Sequence, residues 1–494
     1  MLKINSYFSQ NVISEYYNSI LNKFIKGLII PIDSNISITS NTKDFEVQFL
    51  PDFFTSSKII YKISFEKLLT GTHKEIMDVP GMDIYMDICR LHYCCNRSNI
   101  TEITFLDRLY HSYPDEIDKT FDGKSSEYTY TLKNKKNTSC SAKYKSNSSV
   151  KDFEKVISFV KDKLINYKSD LFDIYMSKIY NDKLTHSPDD LTFTDLKKWL
   201  SLIFEDCKKL LAATIVKKNG NTDKGFYIDY KHISDDKRHE IISSLNIKTC
   251  PYCNRQYITS YTNKSRKRAA SDLDHYYQQS LFPLFSMSLF NFIPSCHICN
   301  SLMKGDTYAE TLYPYEDSAE NDIRFAIALN AGKNKKDIVD IWLGKGKNSF
   351  PDMMKISEVT IINLLKGMNT NNLKPNEKNK LEDRKKKIDN EIELFKLNEV
   401  YRNHLDQAIN VLLIIRIYLE KNYYATYIDD ICKNIGLTST KNLSFTKEEI
   451  RSFLLGLVTD AQGEMDKPLA KLISDIYSSE ISGIEKTSIE KSKE

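Results

Sequence analysis

The fold of this chain is decided by two stretches, KTCPYCNRQY (248–257) and NFIPSCHICNSLMKG (291–305), which flank SDLDHYY (271–277). Each flanking stretch contains one C-x-x-C pair, and an Asp-His dipeptide lies between the pairs. The chain has 10 cysteines, and the others show no such pairing. The pattern fits a structural metal site, a redox pair or the frame of an active site, and these three possibilities imply different functions.

The two cysteine pairs favour a structural zinc ion over a redox centre. A C-x-x-C turn presents two thiolates to one ion, so Cys250 and Cys253 together with Cys296 and Cys299 can complete a tetrahedral site. A redox centre needs only one such pair. Because four sulfur ligands leave zinc no open position, any chemistry has to come from the residues between the pairs.

Length and composition indicate a multidomain globular protein. The chain has 494 residues, 41% of them apolar and 28% charged, so about two to four domains are expected. A formal net charge of +4, from 70 basic and 66 acidic residues, is too balanced to predict nucleic-acid binding over the whole surface. The N-terminal sequence lacks a signal-peptide pattern and no segment is apolar enough to span a bilayer, which predicts a cytoplasmic protein with no membrane partner.

The periodicity of apolar residues divides the chain into four regions and predicts an α+β, mainly helical fold, with a small module inserted between larger helical regions. Residues 1–150 are predicted to be an α+β or helical domain, and a polar segment at 121–152 fits either an exposed hairpin or a linker. A helical region is predicted at 151–239, and the cysteine module occupies 240–315. Residues 316–494 are predicted to form a C-terminal helical domain with a frayed tail.

The residues between the cysteine pairs include candidates for acid–base and metal chemistry. Imidazole is the usual general base near neutral pH, and a carboxylate beside it can bind a hard cation such as Mg²⁺, so His275 and Asp274 are candidates for these two roles. For a lone dipeptide, a capping Asp and a partly buried His are the alternative. Two asparagines favour the functional interpretation, because Asn300 offers an amide oxygen to the same ion and Asn291 can hold the loop by side-chain hydrogen bonds.

The order CPYC, DHY, FPL, NFIPSC, CN, K resembles the HNH nucleases of the His-Me finger (ββα-metal) superfamily, in the subgroup that carries a four-cysteine zinc. The resemblance covers the cysteine module only. It implies that His275 is the general base in an open cleft, and that Asp274 and Asn300 bind one catalytic Mg²⁺, for which Mn²⁺ can substitute. It also implies that Asn291 holds the loop that follows His275.

Basic residues in and beside the module predict contacts with nucleic-acid phosphates. Most of them are expected in a hairpin loop just before the Asp-His strand, where a solvated turn is the alternative. The six residues are Arg255, Lys264, Arg266, Lys267, Arg268 and Lys304. His297, inside the second C-x-x-C pair, is either a phosphate contact or a surface residue.

The module is also similar to nuclease subunits of bacterial anti-phage defence systems such as the Septu type, through LFPLFSMSLFNFIPSC (281–296) and the following LYPYE. That resemblance implies an endonuclease, with DNA as the expected substrate, that works beside an ABC-like or AAA ATPase. Two other interpretations stay open: a stand-alone restriction-type nuclease, and a non-catalytic zinc-finger protein that binds nucleic acid.

Overall fold

The structure is a computed structural model in which helices combine with small antiparallel sheets, which confirms the expected α+β class. It describes residues 2–4, 7–25, 36–38, 45–54, 61–96, 99–133, 138–143, 150–168, 170–171, 173–175, 191–216, 222–227, 230–263, 266–269, 271–329, 357–370, 373–419 and 467–479. Within these segments, no helix combines the length and the apolar character that crossing a bilayer requires.

The N-terminal region packs a small sheet against helices. Its strands are β1 (Ile36–Ile38), β2 (Phe45–Gln48) and β3 (Lys62–Ser64), paired antiparallel in that order. Its helices are α1 (Gln10–Ile25), α2 (Phe65–Thr70), α3 (His73–Met77), α4 (Met82–Cys95) and α5 (Glu102–Ser112). Side-chain caps fix two of the helix starts: Ser64 accepts the Lys67 N–H, and Thr72 and Glu75 form a capping box.

The polar segment at 121–152 contributes to a sheet, so the hairpin alternative is confirmed over the linker. Its strands are β4 (Ile117–Asp122), β5 (Glu127–Leu132) and β6 (Thr138–Lys143), all antiparallel neighbours. Two amphipathic helices follow, α6 (Phe153–Ile165) and α7 (Phe193–Leu210). As their spacing predicts, one face of α7 is buried through Leu196, Trp199, Leu200, Ile203 and Phe204.

The predicted helical region at 151–239 also contains two strands, in the segment that follows α7. There, β7 (Ala212–Val216) and β8 (Thr222–Tyr227) pair as an antiparallel hairpin. The sequence AATIV is too short to form a stable helix of its own, and its β-branched residues favour an extended backbone.

The cysteine module consists of one helix, two hairpins and a π-helix. Its regular elements are α8 (Asp235–Ser244), β9 (Ser260–Asn263), β10 (Arg266–Ala269), β11 (Asp272–His275) and β12 (Phe292–Ser295). The strands pair as β9 with β10 and β11 with β12, both antiparallel. The π-helix Ile298–Lys304 follows β12 directly. Arg266, Lys267 and Arg268 therefore lie on a strand, and not in the loop that the sequence predicts.

The C-terminal region is only partly helical, which corrects the expectation for 316–494. Two seven-residue strands, β13 (Ile323–Leu329) and β14 (Ser357–Asn363), pair antiparallel because their apolar residues alternate. Helices α9 (Pro375–Leu394), α10 (Leu397–Arg402) and α11 (Leu405–Leu419) follow. The expected frayed tail lies outside the described residues.

Both flanking regions hold the cysteine module in place through backbone and hydroxyl contacts. From the N-terminal side, the Leu2 N–H donates to the carbonyl of Pro251 at 3.0 Å. From the C-terminal side, the Tyr401 hydroxyl donates to the carbonyl of Cys253 at 2.5 Å. Buried apolar residues of all these regions form one continuous core. The module is thus embedded in the protein and not attached as a free finger.

Candidate active site

The four cysteines of the module converge on one point. The ligand atoms of Cys250, Cys253, Cys296 and Cys299 all lie within 4.8 Å of one another, and all four residues are buried. The Cys253 and Cys296 sulfurs are 3.9 Å apart. Zinc–sulfur bonds of about 2.3 Å give a tetrahedron whose edges are about 3.8 Å long. The cluster therefore has the dimensions to hold one zinc ion.

Backbone N–H groups prepare two of these sulfurs for negative charge. The Arg255 N–H points at the sulfur of Cys253 at 3.4 Å, and the Cys299 N–H points at the sulfur of Cys296 at 3.5 Å. Hydrogen bonds from neighbouring thiols lower the pKa of both Cys253 and Cys296. Burial, in contrast, raises the pKa of Cys250. Buried thiolates need a cation to compensate their charge. The four sulfur donors of this cluster suit a zinc ion in that role.

The alternation of β11 directs its two carboxylates at the π-helix. Asp272 contacts Asn300, and two residues later Asp274 contacts Lys304. His275 lies on the opposite face of the strand, where its ring packs against Tyr230. The period of two in a β-strand thus separates the candidate base from both carboxylates.

Asp274 is bound by two buried partners. One of its oxygens accepts hydrogen bonds from the Tyr252 hydroxyl and from the Lys304 ammonium group, each at 2.6 Å. Lys304 also donates to the His275 carbonyl at 2.5 Å and is only 5% exposed. Burial lowers the pKa of Lys304, and the Asp274 carboxylate opposes that shift. This placement argues against the expected contact between Lys304 and nucleic acid.

His275 is held as a neutral imidazole in one tautomer. Its Nε2 lies 3.1 Å from the carbonyl oxygen of Ser286, and because a carbonyl only accepts, Nε2 carries the proton. The nitrogen left without a proton is Nδ1. Burial lowers the pKa of His275 to about 4, so the ring is neutral near pH 7.

The expectation that His275 lies in an open cleft is wrong for this structure. The residue is 9% exposed. The rings of Tyr230 and Phe292 pack edge-to-face against it, with centroids 4.7 and 5.1 Å away. These two aromatic rings and the Ser286 carbonyl cover most of the imidazole.

Asn291 makes the loop-holding hydrogen bonds that the sequence predicts. Its side-chain oxygen accepts the Tyr277 N–H at 2.8 Å. Its amide nitrogen donates to the carbonyls of Tyr277 and Phe285, each at 3.0 Å. All three groups belong to the segment between β11 and β12, the segment that also supplies the Ser286 carbonyl. Asn291 therefore supports the contact that fixes the His275 ring.

A polar cleft of about 450 Å³ opens beside the π-helix, between α8 and β11. Asp272, His297 and Asn300 line it, and so do Tyr230 and Arg238. Asp272 contacts both His297 and Asn300: its Oδ2 lies 2.9 Å from Nδ1 of His297 and 2.9 Å from the amide nitrogen of Asn300. The His297 side chain is 69% exposed and lines this cleft, which is compatible with both a phosphate contact and a surface residue.

The structure pairs Asn300 with Asp272, whereas the resemblance pairs it with Asp274. A half-turn of the Asn300 amide would bring its oxygen beside the Asp272 carboxylate, and these oxygens are the ligands that Mg²⁺ prefers. Asp274 is already neutralised by Lys304. The oxygens that face the cleft therefore fit a hard cation better than the Asp274 carboxylate does.

Sequence reasoning singled out only His297 and Asn300 of the cleft lining, and it missed Asp272, Tyr230 and Arg238 among others. Asp272 carried a usable signal, because it lies two residues before Asp274 on a strand and hence on the same face. Tyr230 and Arg238 carried none, since they precede the cysteine pairs and belong to no motif.

The basic residues that the sequence predicts as nucleic-acid contacts lie in different environments in the structure. Arg255 is half-buried, and its Nε donates to Nε2 of His404 at 3.0 Å, so it contacts the C-terminal helices. Lys264 lies outside the described residues, and for the three basic residues of β10 the structure describes the backbone.

No known family model, curated protein or solved structure matches the chain, so its function has to be inferred from the geometry of the site.

Proposed function

We propose that this protein is an HNH endonuclease that hydrolyses phosphodiester bonds of nucleic acid, with DNA as the substrate, and that depends on a divalent metal ion. The observation that carries the proposal is the His275 imidazole, neutral and fixed in one tautomer by the Ser286 carbonyl. A general base needs an unprotonated nitrogen of fixed orientation, and Nδ1 meets that requirement.

In the proposed reaction, Nδ1 of His275 takes a proton from the attacking water. Asn300, with a carboxylate of β11, would hold Mg²⁺ or Mn²⁺. When bound, that ion stabilises the negative charge that develops on the phosphate and on the leaving 3′ oxygen. Asn291 keeps the His275 loop in place through its three hydrogen bonds. Cleavage leaves a 5′ phosphate.

Zinc at the four cysteines is the structural part of the same proposal. Its ligands flank the two strand pairs in the chain and converge in one buried cluster, which suits a clip that holds the strands of the site together. A closed set of four thiolates contributes folding energy and no chemistry. Such thiolates persist in the reducing cytoplasm, where we place the protein.

The burial of His275 supports control by a partner. In the chain alone, Tyr230 and Phe292 pack against the imidazole, so a movement of Tyr230 would widen the access of water and phosphate to Nδ1. An ATPase of the ABC-like or AAA class, as in anti-phage defence systems, would supply such a change. A stand-alone restriction-type nuclease would instead obtain it from the substrate.

A zinc-finger protein that binds nucleic acid without cutting it is the second candidate. It is favoured by one observation, the buried ion pair of Asp274 and Lys304, which is the pattern of a structural carboxylate. Such a protein would need neither a neutral His275 nor a polar cleft lined by Asp272 and Asn300.

Cleavage assays separate the two candidates. His275→Ala should abolish Mg²⁺-dependent cleavage of DNA, while His239→Ala, which removes a histidine of α8 that does not line the cleft, should retain it. The assay includes the cognate ATPase if the wild-type chain alone is inactive. A His275→Ala protein that cuts as fast as wild type would exclude the HNH assignment. A wild type that binds but never cuts would favour the zinc-finger protein.

A further inference from the structure

Arg238 is the one arginine among the residues that line the cleft, within the described part of the chain. It lies on α8, before the first cysteine pair, and shares the cleft with His297 and Asn300. Tyr230 links it to the candidate base: the guanidinium carbon lies 4.3 Å from the centre of the Tyr230 ring, and that ring packs against His275. Arg238 is therefore one side chain away from His275.

The contacts of Arg238 leave most of its hydrogen-bonding capacity unused. Nη1 donates to the Asp235 carboxylate at 3.2 Å, and the Asp235 side chain is 65% exposed. An ion pair with an exposed carboxylate of the same helix is weak. The Tyr230 side chain is the other hydrogen-bond partner of the guanidinium. Nε of Arg238 is buried and has no hydrogen-bond partner among the described residues. A guanidinium carries five N–H groups, so a ligand in the cleft can still be bound by several of them.

A phosphate diester matches this geometry. Arginine binds phosphate through two parallel hydrogen bonds, and a planar group stacked on an aromatic ring is already oriented for that contact. We propose that Arg238 contacts a backbone phosphate of the nucleic acid and holds the strand in the cleft beside Asn300. This inference rests on the proposed function, and it adds a substrate contact from a residue that precedes both cysteine pairs in the chain.

The alternative is that Arg238 only packs on Tyr230. A packing residue would affect the stability of α8 but not the number of phosphates that the protein neutralises. The salt dependence of binding reports that number, because each neutralised phosphate releases counterions. It therefore separates a contact with the substrate from a structural contact.

Binding is measured by fluorescence anisotropy with a labelled DNA duplex in Mg²⁺, over about 50 to 200 mM salt. Every protein carries His275→Ala, so that the duplex stays intact. Arg238→Ala and Arg238→Gln should each raise the Kd about fivefold and reduce the slope of log Kd against log salt by about one. Lys237→Ala is the matched control, since it removes one positive charge from the same helix at a side chain that pairs with Glu240 and does not line the cleft.

The outcomes separate this inference from the proposed function. If both Arg238 variants match Lys237→Ala in Kd and in slope while the parent binds DNA, the Arg238 contact is excluded and the endonuclease proposal stands. If the His275→Ala parent does not bind DNA and the wild type does not cut it, the Arg238 contact and the endonuclease proposal are both excluded. Should Arg238→Ala unfold, Arg238→Gln, which keeps the length of the side chain over Tyr230, gives the deciding comparison.

Discussion

Lys304 places its ammonium nitrogen 2.6 Å from a carboxylate oxygen of Asp274, and both side chains are almost fully buried. The same nitrogen donates to the carbonyl of His275. The pair thus ties the end of β11 to the π-helix at the residue proposed as the base. Loss of one partner leaves the other charge buried without compensation, which costs far more than loss of an exposed ion pair.

Lys304→Met is expected to lower the free energy of unfolding by about 3 kcal/mol, because the buried Asp274 carboxylate then lacks its cationic partner. Combining it with Asp274→Asn should restore part of that loss, since no uncompensated charge then remains. Denaturant unfolding monitored by circular dichroism measures both. Lys366→Met, which removes an exposed ion pair with Asp389, is the control and should cost less than about 1 kcal/mol. Equal losses for the buried and the exposed pair would contradict this account.

The ligands of the proposed Mg²⁺ can be told apart by rescue with excess metal. Asp272→Asn and Asn300→Ala should lose cleavage at about 1 mM Mg²⁺ and partly recover at higher Mg²⁺ or Mn²⁺, because a lost ligand raises the dissociation constant of the ion. His275→Ala should not recover, since it lacks the base. Initial cleavage rates against metal concentration give the result. If Asp274→Asn keeps wild-type stability and is rescued by metal while Asp272→Asn cuts normally, Asp274 is the ligand instead.

Local signals in the sequence were sufficient for the metal cluster and for much of the secondary structure. Two C-x-x-C pairs need only short turns to bring their sulfurs together, and Cys250, Cys253, Cys296 and Cys299 do converge. The apolar spacing around Trp199 identified the buried face of α7 because helical periodicity is a local property.

The environment of the candidate base could not be predicted in the same way. His275 is buried because Tyr230, from a segment outside the module, packs against it. Lys304 is predicted to contact nucleic acid, whereas the structure buries it against Asp274, a pairing that allows a lysine to be buried. Both errors concern contacts between segments that are distant in the chain, which carry no local pattern.

Zinc content tests the four-cysteine cluster. Purified protein should hold about one zinc per chain after dialysis, and Cys250→Ser should be insoluble or lack zinc, because a closed thiolate site contributes folding energy to the module. Cys140→Ser is the matched control: Cys140 is also buried, in β6, but belongs to no metal cluster among the described residues. Elemental analysis and solubility are the measurements. Soluble, active protein without zinc would exclude the structural role.

The stability of the protein is expected to fall between pH 6.5 and 4 in part because of His92. Its ring is stacked on Phe204 with centroids 3.8 Å apart, and its buried Nδ1 has no hydrogen-bond partner in the described part of the chain. Burial, assisted by the charge of Lys208, lowers the pKa of His92 from 6.5 to about 4. As the pH falls through this range, the unfolded chain binds a proton that the folded protein does not, so up to about 3 kcal/mol of stability is lost.

His92→Phe isolates that contribution, because phenylalanine can stack on Phe204 and does not titrate. Its free energy of unfolding, measured from pH 8 to pH 4 in steps, should decline less steeply than that of wild type, and the difference should develop below about pH 6.5. His275, whose pKa is also lowered by burial, is present in both proteins and cancels in the comparison. Parallel curves for the two proteins over the whole range would contradict this prediction. They would mean that His92 binds a proton equally well in the folded and unfolded states.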